Sequence, residues 1–142
     1  MVDPSELIDD FTNETSELLE MLESAVVELE KKTYDAELVN SIFRHVHTIK
    51  GTSSFLGLSN ISKAAHLTEA ILDRVRKGVQ PINREIIDLI LKFIDDGRGF
   101  LRYVYDGRSD DYDFSELISL ATDMLDAARS EERRVGKECR SR

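Results

Sequence analysis

Between Pro4 and Pro81 the chain carries no proline, and its apolar residues recur at separations of three and four rather than two. That spacing draws one apolar stripe along a helix, so the pattern predicts an all-α chain. The first helix opens with Asp3 as N-cap, Pro4 at its first position and Glu6 completing a capping-box-like pair. Leu7, Phe11, Leu18, Leu22, Val26 and Leu29 form its stripe, and it ends near "KKTYD". The second runs from about Asp35 to Phe55 and buries Val39, Ile42, Phe43, Val46 and Ile49. Gly57 suits the left-handed position beyond its end.

After the connector "GLSN", Ser59 or Asn60 caps a third helix that packs Ile61, Ala64, Ala65, Thr68, Ile71, Leu72 and Val75. Asn83 caps a fourth, through Ile87, Ile90, Ile94, Leu101 and Val104, with Gly97 and Gly99 inviting a kink. Phe114, Leu117, Ile118, Ala121, Leu125 and Ala128 mark a fifth, shorter helix. Short connectors favour antiparallel neighbours. The expected architecture is an antiparallel four-helix bundle with the fifth helix packed outside it.

One domain, residues 1–130, suits a chain of 142 residues. Residues 131–142, "EERRVGKECRSR", hold five basic and three acidic groups without an apolar face. That polar tail reads as a linker or a segment left by cloning, disordered and outside the core. The net charge of −9 repels phosphate backbones and anionic lipid, which excludes nucleic acid and membrane surfaces as expected partners. The absence of a bilayer-length apolar run and of a basic-then-apolar leader points to the cytoplasm. A single cysteine, Cys139, supplies neither an internal disulfide nor a Cys-rich metal site.

The informative stretch is "FRHVHTIKGTSSFLG", Phe43 to Gly57. With Val46 at the centre of the buried stripe, His47, Phe43, Lys50, Gly51 and Ser54 fall on one flank. His45 lies on the other and reads as a surface histidine without a partner. On the third helix Glu69, Ser62, Asp73 and Arg76 share a flank, and His66 precedes Glu69 by one turn. Antiparallel packing lets the His47 flank meet the Glu69 flank if the bundle has the right hand, which the sequence leaves open. Glycine at 51 costs helix stability, so either a close helix neighbour or a docking group needs the space. A carboxylate accepting from imidazole Nδ1–H would fix the tautomer and turn the Nε2 lone pair outward, as a phosphoryl acceptor requires. Lys50 supplies a positive charge one turn away, suited to the phosphate.

"FRHVHTIKGTSSFLGL" followed by "AAHLTEAILDRVRKG" resembles the histidine phosphotransfer (HPt) domain family, and within it the N-terminal phosphotransfer domains of CheA chemotaxis kinases. The resemblance covers roughly residues 3–130. It implies that His47, in "HTIKG", is the phosphoacceptor, that Lys50 and Gly51 are the motif lysine and glycine, and that His66 and Glu69 form the second element. Glu69 would orient the imidazole and His66 would support the network. The resemblance further implies a phosphoryl carrier that is not itself an enzyme, with no cofactor of its own, because ATP and Mg²⁺ belong to a separate kinase domain. Its partners would be that ATP-binding domain and a CheY-like receiver, and a start at Met1 fits the N-terminus of a larger kinase. The rival readings are a standalone phosphotransfer protein of a multistep relay, a helical adaptor without chemistry, and a metal-carboxylate bundle. The last needs paired Glu-x-x-His motifs, and the sequence contains none.

Overall fold

The structure, a computed structural model, describes residues 3–31 and 35–140, the last ten as backbone only. Five α-helices follow one another: α1 (Pro4–Lys31), α2 (Ala36–Phe55), α3 (Ser59–Arg76), α4 (Arg84–Tyr105) and α5 (Ser115–Arg140), with a single turn of 3₁₀ helix at Ser109–Asp111. The core forms where α1, α2, α3 and α4 pack each against the next and α4 returns to α1, while α5 lies outside on α3 and α4. This is the expected four-plus-one arrangement. Residues 32–34 of the expected first-helix terminus lie outside the described residues.

Local chemistry sets the ends of the helices. Asp35 caps α2 by accepting from the backbone N–H groups of Glu37 and Leu38, and Asn83 caps α4 by accepting from Ile86 at 2.9 Å. Asp3 Oδ1 likewise accepts from Ser5 N–H at the start of α1. Helices α2, α3 and α4 all close in the same way. Gly57 (φ +75°) donates to Ser54 while Leu58 donates to Ser53, the paired bonds of a Schellman motif, and Gly78 and Gly107 repeat it. The α2 turn matters most, because it reverses the chain in three residues and returns α3 along α2.

The cap expected at the start of α3 is absent. Leu58 occupies the cap position with no side-chain hydrogen bond and is itself buried. Asn60 instead donates through Nδ2 to the carbonyls of Ser109 and Tyr112, tying α3 to the α4–α5 connector. An apolar cap residue is affordable here because its side chain fills the core.

Helix α4 buries more than the one stripe expected of it. Besides the predicted residues, Ile86, Leu89, Phe93 and Phe100 are inaccessible, because α4 is covered by α1, α3 and α5 together. It runs unbroken past its two glycines, and neighbouring side chains explain both. A Cβ on Gly97 would stand 3.0 Å from Leu19 Cδ1, and one on Gly99 only 2.8 Å from the ring and hydroxyl of Tyr112. Tyr112 packs edge-on against Tyr103 and Phe114 and donates its hydroxyl to Asp96 at 3.0 Å. Burial first, and then that carboxylate, push its phenol up to about 12.

Three further expectations are corrected by the packing. Leu19 rather than Leu18 is the fully buried residue of that turn of α1. Phe43 is half-buried rather than enclosed. The fifth helix is not short, since its backbone stays helical to Arg140 where a disordered tail was expected from residue 131. Glutamate, arginine and lysine are good helix formers and no proline stops the run, so polarity there removes the core but not the helix.

Replacing Gly99 with alanine adds helix propensity but drives a methyl into the Tyr112 ring. The clash outweighs the propensity, so Gly99→Ala is expected to lower unfolding free energy by about 1–2 kcal/mol. Urea denaturation measures this, and a variant more stable than the parent would contradict the close approach.

Candidate functional site

The turn at Gly57 sets the register between α2 and α3, and four pairs of side chains report it. Ser54 meets Ser62 at 2.5 Å near the turn, Lys50 and His47 meet Glu69 a turn or two farther on, and Phe43 meets Arg76 beyond them. Every one of these residues lay on the two flanks that the helical projection singled out. The hand of the bundle, which periodicity left open, is the one that brings those flanks together.

At the centre, His47 Nδ1 lies 3.1 Å from Glu69 Oε2. Lys50 Nζ contacts the same carboxylate at both oxygens, 2.9 Å to Oε2 and 3.1 Å to Oε1. An ionised carboxylate only accepts, so Nδ1 carries the proton of the neutral ring and Nε2 holds the lone pair. The exposures divide the labour. Glu69 is 15% exposed and Lys50 24%, whereas the His47 side chain is 58% exposed. A sheltered ion pair thus steers a ring whose other nitrogen faces solvent. Lys50 is committed to holding Glu69, so in this structure it acts on His47 through the carboxylate.

The remaining sequence-predicted residues fall out differently. Gly51 has no atom within 4 Å of the place a Cβ would occupy. No neighbouring helix needs that space, which leaves the access reading: it opens onto a groove with Leu7, Phe11 and Phe55. His66 is exposed and its ring forms no hydrogen bond among the described residues, so the supporting role expected of it is not seen. It lines a groove with Lys50, Ser54, Ser62 and Lys63 instead. His45 corrects its expectation too, being half-buried and hydrogen-bonded through Nε2 to Ser41 Oγ at 3.2 Å. Burial, and secondarily Arg44, lower its pKa.

Sequence reasoning placed Phe43 and Arg76 on the right flanks without giving either a role at the site. The Phe43 ring stacks on the imidazole of His47, centroids 6.1 Å apart and planes within 11°. The guanidinium of Arg76 sits 4.0 Å from the Phe43 centroid. The i, i+4 spacing of two ring-bearing residues was the signal available.

A model of the family described as "Hpt domain" matches residues 6–131. The chain belongs to the Hpt domain family, a class of phosphoacceptor modules rather than catalytic kinase domains. Within that class the likeness runs to chemotaxis proteins. It is 39% identical over 139 residues to the sensor histidine kinase CheAY of Helicobacter pylori, and 30% identical over 116 residues to the chemotaxis protein CheA of Bacillus subtilis. Those alignments cover 97% and 82% of this chain but only 17% of either relative, so the chain spans about a sixth of their length. Among solved structures it resembles the CheA phosphotransferase domain from Thermotoga maritima at 34% identity and a TM-score of 0.68, covering 70% of this chain and 95% of that one. It also resembles the phosphorylated P1 domain of CheA3, solved in complex with CheY6 from R. sphaeroides, at 29% identity and a TM-score of 0.74, covering 91% and 97%. Among the described residues no helix is long and apolar enough to cross a membrane.

The tautomer is directly measurable. Nitrogen-15 spectra at a pH where the His47 ring is neutral should show the proton on Nδ1, and Glu69→Ala should abolish that preference. A ring protonated at Nε2 in the parent chain would contradict the geometry.

Proposed function

We propose that this chain is the phosphoryl-carrier domain of a two-component, chemotaxis-type histidine kinase, with His47 as the phosphoacceptor. One observation carries the reading: an exposed imidazole whose Nδ1 is held by a sheltered carboxylate. The Nε2 lone pair attacks the γ-phosphorus of ATP in line with the bond to ADP. The N–P bond forms as the bridging P–O bond breaks, and ADP leaves with the electron pair. Positive charge then appears on the ring, and the Glu69 carboxylate already faces it, which stabilises the transition state more than the ground state.

The nucleotide and its Mg²⁺ reside on a separate kinase domain in this reading, and the chain itself needs no cofactor. In a second step an aspartate oxygen of a CheY-like receiver attacks the phosphorus and the N–P bond breaks, returning its electron pair to Nε2. Two successive partners must reach one atom, which explains a nucleophile in mid-helix on a convex surface with a bare Gly51 one turn on. The same reading places the domain in the cytoplasm, where kinase, nucleotide and receiver meet.

The test is incubation with ATP, Mg²⁺ and a chemotaxis kinase core, with mass spectrometry locating an acid-labile phosphate. His47 should be labelled and His47→Gln should not. Glu69→Ala should slow labelling roughly 10- to 100-fold, the usual effect of losing an orienting partner. Its melting should shift little, since partly exposed ion pairs contribute at most about 1 kcal/mol. Label on His47→Gln, or an undiminished rate in Glu69→Ala, would overturn the assignment.

A further inference from the structure

One hydrogen bond does not immobilise an imidazole. The bond from Nδ1 to Glu69 fixes one atom of the ring, while the ring plane remains free to rock about that contact, swinging Nε2 along an arc. In-line attack tolerates little of this, because a misplacement of about 1 Å in a reacting group can cost a hundredfold in rate. A second restraint on the plane of the ring is therefore worth finding. Among the described residues, the aromatic neighbour of His47 is Phe43, one turn earlier on α2, whose ring lies nearly parallel to the imidazole at 11°.

Phe43 is itself held from the neighbouring helix. It packs partly against the core, and the guanidinium of Arg76 lies 4.0 Å from its centroid, a cation–π contact that fixes the ring face. Arg76 in turn is tethered, with Nη2 donating to Asp73 Oδ1 at 2.6 Å. Asp73 is also paired with Lys77 at 2.8 Å, and Lys77 first and then Arg76 hold its carboxyl below the ordinary carboxylate range. A chain of contacts thus runs from Asp73 through Arg76 and Phe43 to the face of His47. Helix α3 therefore reaches the phosphoacceptor twice: through Glu69 at an edge of the ring and through Arg76 by way of Phe43 at its face.

We infer that Phe43 and Arg76 are positioning residues for phosphoryl transfer, Phe43 restraining the plane of the His47 ring and Arg76 acting through Phe43. The inference rests on the proposed function of His47. Neither residue bonds to Nδ1 or Nε2, so their contribution lies in where the nucleophile points and not in its proton. This separates them from Glu69, which sets the tautomer.

The experiment measures kcat and KM for phosphorylation of the whole chain by a kinase core and ATP, in the parent and in Phe43→Leu, Phe43→Tyr, Arg76→Gln and the Phe43→Leu/Arg76→Gln double variant. Phe43→Leu keeps apolar volume and should lower kcat roughly tenfold at unchanged KM. Phe43→Tyr, which keeps the ring, should restore the rate that leucine loses. Arg76→Gln should lower kcat roughly two- to fivefold, and in the Phe43→Leu background it should add nothing further. Nitrogen-15 spectra should retain the Nδ1–H tautomer in every variant. The inference is overturned if kcat is unchanged in Phe43→Leu, if tyrosine is as slow as leucine, or if the two substitutions multiply. A rise in KM at constant kcat also overturns it, by making these side chains part of a docking surface. Failure of the parent chain to accept phosphate at His47 would instead sink the proposed function, so the two failures are distinct.

Discussion

The structure depends on the antiparallel pairing of α2 with α3 across a three-residue turn. Gly57 takes a left-handed conformation, the Schellman bonds close α2, and Leu58 drops into the core as α3 begins. With the turn set, the two helices run side by side in one register, and that register places Glu69 opposite His47 and Lys50. Shifting one helix by a residue rotates its side chains about 100° and would carry the carboxylate away from the ring. Packing enforces the register. Val39, Ile42, Val46 and Ile49 of α2 and Ile61, Ala64, Ala65, Thr68, Ile71, Leu72 and Val75 of α3 are all buried. Each large aliphatic side chain among them is worth about 1.5–3 kcal/mol of burial. The polar site rides on this apolar seam and contributes little to its stability.

That separation between scaffold and site suits the proposed transfer. An ion pair that stabilised the fold strongly would resist the rearrangement of charge that transfer demands. Here Lys50 and Glu69 sit at the edge of the seam, sheltered enough to hold geometry and exposed enough to respond. His47 stands outside both, with Phe43 against its face. The proposed nucleophile is thus held from two directions, by Glu69 and by Phe43.

Much of this was legible in the residues. Three- and four-residue spacing marked five helices, Asp35 and Asn83 announced two of the starts, and Gly57 announced a stop. The flank carrying His47, Lys50 and Gly51 and the flank carrying Glu69 followed from helical angles alone. What stayed hidden depended on tertiary neighbours. The hand of the bundle is a property of how four helices close on one another, not of any one of them. Asn60 reads locally as a cap, yet its Nδ2 reaches carbonyls about fifty residues away. Gly97 and Gly99 read locally as weak points, yet Leu19 and Tyr112 occupy the space their missing side chains leave. His66, by contrast, owed its assignment to resemblance, and the structure gives its ring no hydrogen-bonding partner among the described residues.

The carboxylate of Glu69 is the hub that makes the histidine and the lysine one site, and a double-mutant cycle on phosphorylation rate tests this most directly. Lys50→Ala is measured in the parent chain and again in the Glu69→Ala background. If the lysine acts through the carboxylate, its removal slows transfer in the first and changes little in the second. Equal factors in both backgrounds would show Lys50 working independently of Glu69, and the hub would not exist.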